Sequence, residues 1–319
     1  MKTIKITWVG CHSEGEAAFQ ALLSKGYKVT NFVTLNDASF SRRSGGSRVY
    51  MDLCERYNIP VSLISTIKND ESYELIKADA PDLLIVLGWS EVLPERLLDI
   101  PTIGTVGAHA AMLPHNRGSA PINWALIKDE KSCGNSLMWL DKNVDEGKII
   151  DQIPFEITDY DTCKTLYDKV AVTNEQMILR LVERLSHGLP TVMEKENVTI
   201  EPLLPRRRPK DGLMNWNQES RAVYNFIRAL ARPYPGAFTY LNGKKYLLWS
   251  ASLLPSKTDV GVPGTIIGSV YSPIPEACGI QIACNNGSIV VHEIEDEEGN
   301  IFKSSALSNL NMKGRFSNE

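Results

Sequence analysis

The sequence of 319 residues lacks the features that mark several classes of protein. No stretch approaches the ~18 apolar residues that a membrane span needs, and the first ten residues are too polar for a signal peptide. The six cysteines are scattered, without the close pairs that are typical of a zinc site. These absences predict a cytoplasmic protein with reduced thiols, no bound metal and no membrane partner.

Basic clusters and phosphate-binding loops are also scarce. The formal net charge is −4 and no basic tail is present, which argues against a large nucleic-acid footprint. The spacing of Gly10 and Gly15 fits neither a phosphate loop, which needs a following Lys-Ser/Thr, nor a dinucleotide-binding loop. We therefore expect a small-molecule substrate and no nucleic-acid partner.

The sequence contains 43% hydrophobic and 23% charged residues, which is typical of globular proteins. Its length suits two domains. In the first third, apolar runs alternate with segments of helical spacing. This pattern predicts strands at 4–9, 27–35, 61–64 and 83–87 and helices at 14–25, 48–57 and 70–78. The order predicts an α/β fold with a Rossmann-like, doubly wound parallel sheet, which binds ligands at the carboxyl ends of its strands.

The pattern changes after a long predicted helix at 161–187. Beyond a short helix at 219–230, five short runs with turn signals such as Asn242-Gly243 fit a small β-barrel. The predicted boundaries are 1–191 for an N-terminal domain, 192–218 for a linker, 219–302 for a C-terminal domain and 303–319 for a poorly ordered tail.

Two residues at the edges of apolar runs suit proton chemistry. His109 follows one such run, and Asp145 comes 36 residues later at the edge of another. A carboxylate beside a histidine orients the imidazole and stabilises its charged form, so the pair could transfer a proton or stabilise an oxyanion. Each residue alone is weak evidence, because a single histidine is more often structural and an aspartate near a glycine usually belongs to a turn.

The segment HAAMLPHNRGSAP, which begins at His109, resembles the signature of the folate-dependent formyltransferases. The positions that fit the pattern are His109, Leu113, Pro114, Arg117, Gly118, Pro121, Asp145 and Gly147, and the resemblance extends from about residue 4 to about residue 299. It implies the formyltransferase fold with an OB-like C-terminal β-barrel, and transfer of a formyl group from N10-formyltetrahydrofolate to an amine. It also implies that His109 performs the proton or oxyanion chemistry and that Asp145 orients it.

Gly107 departs from the family pattern, which has an asparagine two residues before the histidine. In the family that amide holds the formyl oxygen, and removing an oxyanion donor costs roughly two to three decades in rate in other enzymes. Three alternatives stay open. Another donor such as a backbone N–H, a water or Ser136 substitutes; the enzyme is slow; or the protein binds folate or a nucleotide sugar without turnover.

The same resemblance implies where the folate binds. The implied contacts are Gly88, Trp89, Ser90, Glu91, Val92, Leu93, Asp141, Asn143, Val144 and Asp145. Main-chain groups there would pair with the pterin edge, while Trp89, Val92 and Leu93 would wall the ring. Trp89 and Leu93 are as readily explained as core residues. Arg117 could hold an anion, although a structural role is favoured.

The segment 207–238 resembles the nucleotide-sugar N-formyltransferases more than the methionyl-tRNA formyltransferases. The implied substrate contacts, where the family's two domains meet, are Arg206, Arg207, Arg208, Trp216, Arg228 and Tyr234. An arginine run is as often a solvated linker. From residue 240 onward, six Lys/Arg oppose eight Asp/Glu, and this net charge of −2 is unfavourable for binding tRNA.

The favoured acceptor is therefore a nucleotide-linked amino sugar of the UDP- or dTDP-4-amino-4,6-dideoxy type, made for bacterial surface glycans. Ser119 stands where the enzyme that modifies UDP-4-amino-arabinose has an arginine, so the sugar itself stays open. Methionyl-tRNA formyltransferase, hydrolysis of formyl-folate and a homodimeric assembly also stay open.

Overall fold

The computed structural model describes residues 3–41, 46–191, 201–254 and 261–318. The chain divides into two compact units. The first comprises Met1–Pro121, Ser132–Glu156 and Leu166–Pro205, and the second comprises Ile122–Lys131, Ile157–Thr165 and Arg206–Glu319. Two segments from within the predicted N-terminal domain thus belong to the second unit. Residues 192–200 of the predicted linker lie outside the described residues.

The first unit is built on a seven-stranded sheet in the order β3-β2-β1-β4-β5-β6-β7. Its strands are β1 (Ile6–Val9), β2 (Val29–Leu35), β3 (Val61–Ile64), β4 (Leu83–Val86), β5 (Gly104–His109), β6 (Ser132–Trp139) and β7 (Ile149–Glu156). Strands β1 to β5 are parallel, whereas β6 runs antiparallel to both β5 and β7. The α/β class is confirmed, but the sheet is mixed and not wholly parallel. The loop between β6 and β7 is too short for the crossover that parallel neighbours require.

Helices alternate with these strands along the sequence. They are α1 (Glu16–Ser24), α2 (Asp37–Phe40), α3 (Val49–Tyr57), α4 (Asp70–Asp79), α5 (Glu95–Leu98), α6 (Pro121–Ile127), which enters the second unit after its first residue, and α7 (Cys163–Ser186). Local chemistry sets some of these bounds. Helix α4 begins where the side chain of Asn69 accepts a hydrogen bond from the backbone N–H of Ser72, and it ends at Ala80 in the left-handed conformation.

Side chains alternate between two apolar cores along the buried strands. In β1, Ile6 and Trp8 join the core that contains α1, α3 and α7, while Val9 joins the core under α4 and α5. Two-sided burial explains why the strands of the first third appear in the sequence as continuous apolar runs.

The second unit contains an antiparallel sheet in the order β10-β11-β12-β9-β8, with β13 paired to β12. The strands are β8 (Ala237–Leu241), β9 (Lys244–Leu253), β10 (Ile266–Val270), β11 (Gly279–Cys284), β12 (Gly287–Asp296) and β13 (Ile301–Lys303), accompanied by α8 (Ser220–Leu230) and α9 (Ser304–Asn309). Within the described part of the chain, these strand pairings do not form a closed barrel, so the structure does not confirm the OB-like prediction.

The predicted C-terminal tail contains a short helix and several contacts with the rest of the second unit. Helix α9 lies within the predicted tail, and Ser317 and Arg315 make isolated bridges to Tyr240 and Thr265. Phe316 is buried and stacks on Trp216. A single apolar residue among polar neighbours gives no periodic signal, which is why the sequence pattern missed this contact.

In the described ranges, no helix is long and apolar enough to cross a membrane. No disulfide links the six cysteines, all of which lie in those ranges and are buried.

Candidate active site

The carboxyl ends of β4 and β5 are adjacent in the first unit and define the edge where the predicted residues meet. Gly107 of β5 pairs in register with Val86, the last residue of β4, and β5 ends at His109. Asp145 lies in the loop between β6 and β7. Ligands of α/β sheets bind at this edge.

The structure brings His109 and Asp145 together. Their Nδ1 and Oδ1 atoms are 3.5 Å apart, and the two side chains are only 9% and 12% exposed. The other carboxylate oxygen of Asp145 accepts a hydrogen bond from the backbone N–H of Gly118 at 2.8 Å. The distance of 3.5 Å between Nδ1 and Oδ1 is longer than in a strong hydrogen bond. Because both side chains are nearly buried, the electrostatic interaction between them is only weakly screened by water.

The second ring nitrogen of His109 also faces an acceptor. Its Nε2 lies 2.8 Å from the backbone carbonyl of Asn116. A neutral imidazole carries one N–H and can donate to only one of its two acceptors. For Nε2 to take a proton from a substrate, the attacking amine must therefore displace the Asn116 carbonyl from this nitrogen.

Ser136 holds the backbone that follows His109. Its hydroxyl donates to the carbonyl of Ala111 at 2.6 Å and accepts from the N–H of Leu113 at 3.1 Å and from Nε2 of Gln152 at 2.7 Å. Ser136 is fully buried, so its polar capacity is already used. This corrects the suggestion that Ser136 replaces the missing amide donor.

Arg117 connects the loop of His109 to the loop of Asp145. Its Nη2 donates to the carbonyl of Val144 at 2.9 Å and to the carboxylate of Glu146 at 2.6 Å. The side chain is buried. This is the structural role that the sequence favours.

A third support for this loop comes from residues 201–204, which no sequence pattern connects to it. Leu204 pairs with Gly118, and its N–H donates to the carbonyl of Arg117 at 2.7 Å. The side chains of His115 and Glu201 meet at 2.8 Å. The two segments are about 85 residues apart in sequence, so only the tertiary fold shows this contact.

Two glycines of the predicted site have steric roles. A Cβ atom at Gly147 would lie 1.7 Å from the backbone oxygen of Trp139, so this position requires glycine. A Cβ at Gly107 would lie 2.9 Å from Cδ2 of Leu140. Gly107 is thus covered by a side chain and is not an open position on the strand.

The residues after β4 divide into several groups. Trp89 and Leu93 pack against the apolar core under α4 and α5, and the indole Nε1 of Trp89 is buried without a hydrogen-bond partner among the described residues. Val92 is 59% exposed, and Ser90 is also exposed. An unpaired buried donor at a functional edge is a candidate contact for a ligand acceptor.

Two members of the predicted folate segment already have protein partners. The carbonyl of Gly88 accepts from the N–H groups of Cys11 and His12 at 2.9 and 3.0 Å. The carboxylate of Glu91 accepts from the hydroxyl of Thr66 at 2.8 Å and the N–H of Ile67 at 3.0 Å. Because their polar groups already bind neighbouring loops, Gly88 and Glu91 are less favourable candidates for folate contacts.

The other predicted folate residues lie on the exposed β6–β7 loop. Asp141 accepts from the N–H of Asn143 at 3.3 Å, and both residues are exposed. Val144 is also exposed and is positioned through its carbonyl by Arg117.

The six predicted substrate residues belong to the second unit, and two of them are buried. Trp216 is 4% exposed, and its Nε1 donates to Thr239 at 3.0 Å. Arg228 is 3% exposed and donates to the carbonyls of Thr158 and Asp161 at 2.7 and 2.8 Å. Both side chains are core components with protein partners, so neither is available to a substrate.

The remaining four substrate predictions are more accessible. Arg206 and Arg208 are exposed and Tyr234 is half-buried. The guanidinium carbon of Arg207 lies 5.1 Å from the ring centroid of Trp124 and 5.3 Å from that of Phe226. Burial lowers the pKa of Arg207 from its usual value. The two aromatic faces fix this side chain in place.

A cavity of about 390 Å³ lies elsewhere, in the second unit, lined by Lys245, Leu247, Glu295, Asp296, Glu297, Glu298 and Gly299. Its surplus of carboxylates disfavours an anionic ligand, and it contains none of the predicted site residues. The paired side chains of His109 and Asp145 are the better indicator of function. Within the described residues, no group of His, Cys, Asp and Glu could hold a metal ion.

Two family models match the chain. One, described as formyl transferase, matches residues 38–182, and the other, described as formyl transferase, C-terminal domain, matches residues 207–311. The sequence is 30% identical to the bifunctional polymyxin resistance protein ArnA of Wigglesworthia glossinidia brevipalpis, over 98% of this chain and 46% of that protein. It is also 30% identical to methionyl-tRNA formyltransferase of Geotalea uraniireducens, over 93% of this chain and 92% of that protein.

Among solved structures, the chain is similar to HypX from Aquifex aeolicus in complex with tetrahydrofolic acid. The TM-score is 0.65 at 18% identity, covering 95% of this chain and 46% of that one. At this identity the likeness concerns the fold.

Proposed function

This chain belongs to the formyltransferase family, and we propose that it transfers a formyl group from N10-formyltetrahydrofolate to the amino group of a nucleotide-linked amino sugar. A formyl-folate is the cofactor of this family. The observation that carries the proposal is the His109–Asp145 pair, nearly buried at the carboxyl edge of the sheet. In keeping with the sequence, we place the reaction in the cytoplasm and in surface-glycan synthesis.

The residues at the end of β4 fit a folate. The buried, unpaired N–H of Trp89 offers a donor to a ligand, and the side chains of Trp89 and Leu93 present an apolar surface that suits a pterin ring. Val92 extends this surface. Bound there, the cofactor supplies the formyl carbon.

The chain's own residues supply three functions. His109 takes a proton from the attacking amine or donates a hydrogen bond to the oxygen on which negative charge develops. Asp145 fixes the orientation of the ring and stabilises positive charge on it. Arg117 and Ser136 fix the two loops, which keeps the imidazole in place during the reaction.

The acceptor is inferred from sequence and charge. The resemblance of residues 207–238 to sugar-modifying relatives and the net charge of −2 from residue 240 onward support an amino sugar. With Trp216 and Arg228 buried, the remaining candidates for its phosphates and base are Arg206, Arg207, Arg208 and Tyr234. We also propose an OB-like organisation for the second unit, supported by the bridges of Arg315 and Ser317 to Thr265 and Tyr240.

Methionyl-tRNA formyltransferase is the second candidate. It is favoured by the similarity to the Geotalea uraniireducens protein of that name, which extends over 92% of that protein. Its substrate would need a positive surface for the RNA backbone.

Purified protein with 10-formyltetrahydrofolate and one acceptor at a time separates the candidates. UDP- and dTDP-linked 4-amino sugars form one arm, methionyl-tRNA a second, and no acceptor a third, with His109→Ala as the control in each. We expect a formylated sugar nucleotide that is absent with His109→Ala. Formylation of methionyl-tRNA alone contradicts the sugar proposal. Formate release without acceptor indicates hydrolysis, and folate binding without any turnover indicates a protein that has lost the chemistry.

A further inference from the structure

Leu140 covers the backbone of Gly107. A Cβ atom built on Gly107 would come within 2.9 Å of Cδ2, 3.2 Å of Cδ1 and 3.3 Å of Cγ of Leu140. The whole isobutyl group therefore occupies the space into which any side chain at position 107 would extend. The backbone of Leu140 is fixed there, because its N–H donates to the carbonyl of Thr105 at 2.8 Å.

The same side chain joins two apolar clusters. Leu140, like Trp89 and Leu93, packs against the core that includes Val86. It also packs against a smaller cluster of Leu113, Met138 and Ile149. Val86 and Met138 are the register neighbours of Gly107 on β4 and β6. Leu140 thus packs over Gly107 and against the two clusters that contain its neighbours on β4 and β6.

Leu140 also lies between segments that bear the site. Trp89 and Leu93 belong to the proposed folate surface, Leu113 lies in the loop after His109, and Asp141 begins the loop that carries Asp145. Leu140 shares an apolar core with Trp89 and Leu93, packs against the cluster that contains Leu113, and directly precedes Asp141. A change in its volume would therefore alter the packing beneath all three segments.

We propose that Leu140 is a positioning residue for the formyl donor. It fills the space that a polar side chain at position 107 would occupy. Together with Trp89 and Leu93 it forms the apolar surface against which the folate packs. This inference deepens the proposed function and depends on it. It means that the site is built without a carboxamide on this face, so the developing charge on the formyl oxygen depends on the His109 ring.

Four proteins test this: the wild type, Leu140→Ala, Gly107→Asn and the double variant. We expect Leu140→Ala to raise the KM for 10-formyltetrahydrofolate about tenfold, since one buried aliphatic contact is worth roughly this factor, with the KM for the acceptor unchanged. Gly107→Asn should lower Tm, because its side chain meets Leu140. In the double variant the vacated space admits the asparagine, so its loss of Tm should be smaller than the sum of the two single losses.

The double variant also tests the dependence on His109. If its amide takes part of the charge on the oxygen, His109→Gln should cost at least tenfold less in kcat in the double-variant background than in the wild type. A merely structural role of Leu140 would leave this ratio unchanged.

Leu137→Ala and Leu140→Met are the matched controls. Leu137 precedes Leu140 by three residues and is buried in the opposite core, so Leu137→Ala should lower Tm and leave the KM for the donor within about twofold. Leu140→Met keeps the apolar volume and should keep the KM. Additive Tm losses, or an equal change of KM with Leu137→Ala and Leu140→Ala, would overturn the proposal.

Binding of tetrahydrofolate, measured by calorimetry, separates this inference from the proposed function. If the wild type formylates no acceptor, the proposed function fails. Weaker binding by Leu140→Ala, with Leu137→Ala unaffected, would still support the role of Leu140. Equal binding by all variants would contradict it.

Discussion

Glu14 has a carboxyl group that is packed within protein, although part of the residue reaches the surface. Burial raises its pKa above the ordinary value of 4.5, with Glu16 acting in the same direction and His12 against it. It is adjacent in sequence to Gly15, at which a Cβ atom would meet the hydroxyl of Tyr50. Burial in the folded state therefore disfavours the ionised form of this carboxyl group.

Replacing Glu14 with glutamine should stabilise the protein in a pH-dependent way. Because the folded-state pKa is raised, the contribution of this group to stability is most favourable below about pH 4.5 and is lost as pH rises through the raised pKa. We expect Glu14→Gln to raise Tm at pH 7.5 and to change it little at pH 4. An equal shift at both pH values would contradict the burial of this carboxyl group.

Gly147 is a second residue whose role is steric. Gly147→Ala places a Cβ on the backbone oxygen of Trp139, so the β6–β7 loop must move. We expect a loss of at least ~2 kcal/mol in the free energy of unfolding together with loss of activity. Gly268→Ala, at a glycine whose added Cβ meets no atom within 4 Å, is the control and should leave both nearly unchanged.

Sequence patterns indicate a residue's role when its partners belong to the same motif, and not when its partners are distant in sequence. The structure brings together the predicted pair of His109 and Asp145, which belong to a single motif. Trp216 and Arg228, which the sequence predicts as substrate contacts, are buried against protein partners, because side chains of these types serve a ligand or a core equally well. The carbonyls that Arg228 binds lie about 70 residues away in sequence, and no local pattern reveals them.

At the level of elements, the loop after β5 is held by strands β6 and β7. Ser136 of β6 and Gln152 of β7 bind its backbone at Ala111 and Leu113. The position of His109 therefore depends on side chains from two antiparallel strands.

Ser136→Ala should loosen this loop. Three hydrogen bonds to the hydroxyl are lost, so we expect kcat to fall roughly 10- to 100-fold through misplacement of the imidazole, with a modest fall in Tm. Ser288→Ala is the matched control, since Ser288 is a buried serine that accepts from Gln281 at 2.8 Å in the second unit. A similar loss of kcat in both variants would show that the effect is not specific to the loop.

Strand β6 also shows why part of the fold escaped prediction. Its buried residues include Asn135 and Ser136, which sequence patterns assign to turns. Asn135 donates to Thr173 and Asn174 of α7 at 3.0 and 2.7 Å. Strands whose polar groups are satisfied by distant elements have no recognisable periodicity, whereas the continuous apolar runs of β1 to β4 did predict strands.

At the scale of the whole molecule, ion pairs connect the three separate chain segments that make up the second unit. Arg221 of α8 binds both Asp129 and Asp159, which come from two segments outside the C-terminal region. Partial burial disfavours ionisation of Asp129, but hydrogen bonds from Arg221, Asn225 and Lys131 outweigh it and lower the pKa to about 2.

This network should stabilise the second unit only where Asp129 is ionised. Since the folded-state pKa is lowered, the contribution is present above about pH 4 and is lost as pH falls toward 2. We expect Asp129→Asn to cost about 1 kcal/mol at pH 7, a value reduced for solvent screening, and less at pH 3. Asp99→Asn, at an exposed position, should change the urea midpoint little at either pH. A constant cost for Asp129→Asn would contradict the account.

The most direct test of the whole account is the rate of formyl transfer by His109→Gln, Asp145→Asn and their double variant. If the carboxylate acts through the imidazole, each single change should lower kcat by roughly 10²- to 10⁴-fold, and the double variant should be no slower than the slower single one. Either single variant within twofold of the wild type, or losses that multiply in the double variant, would contradict the claim that these two residues work as one catalytic unit.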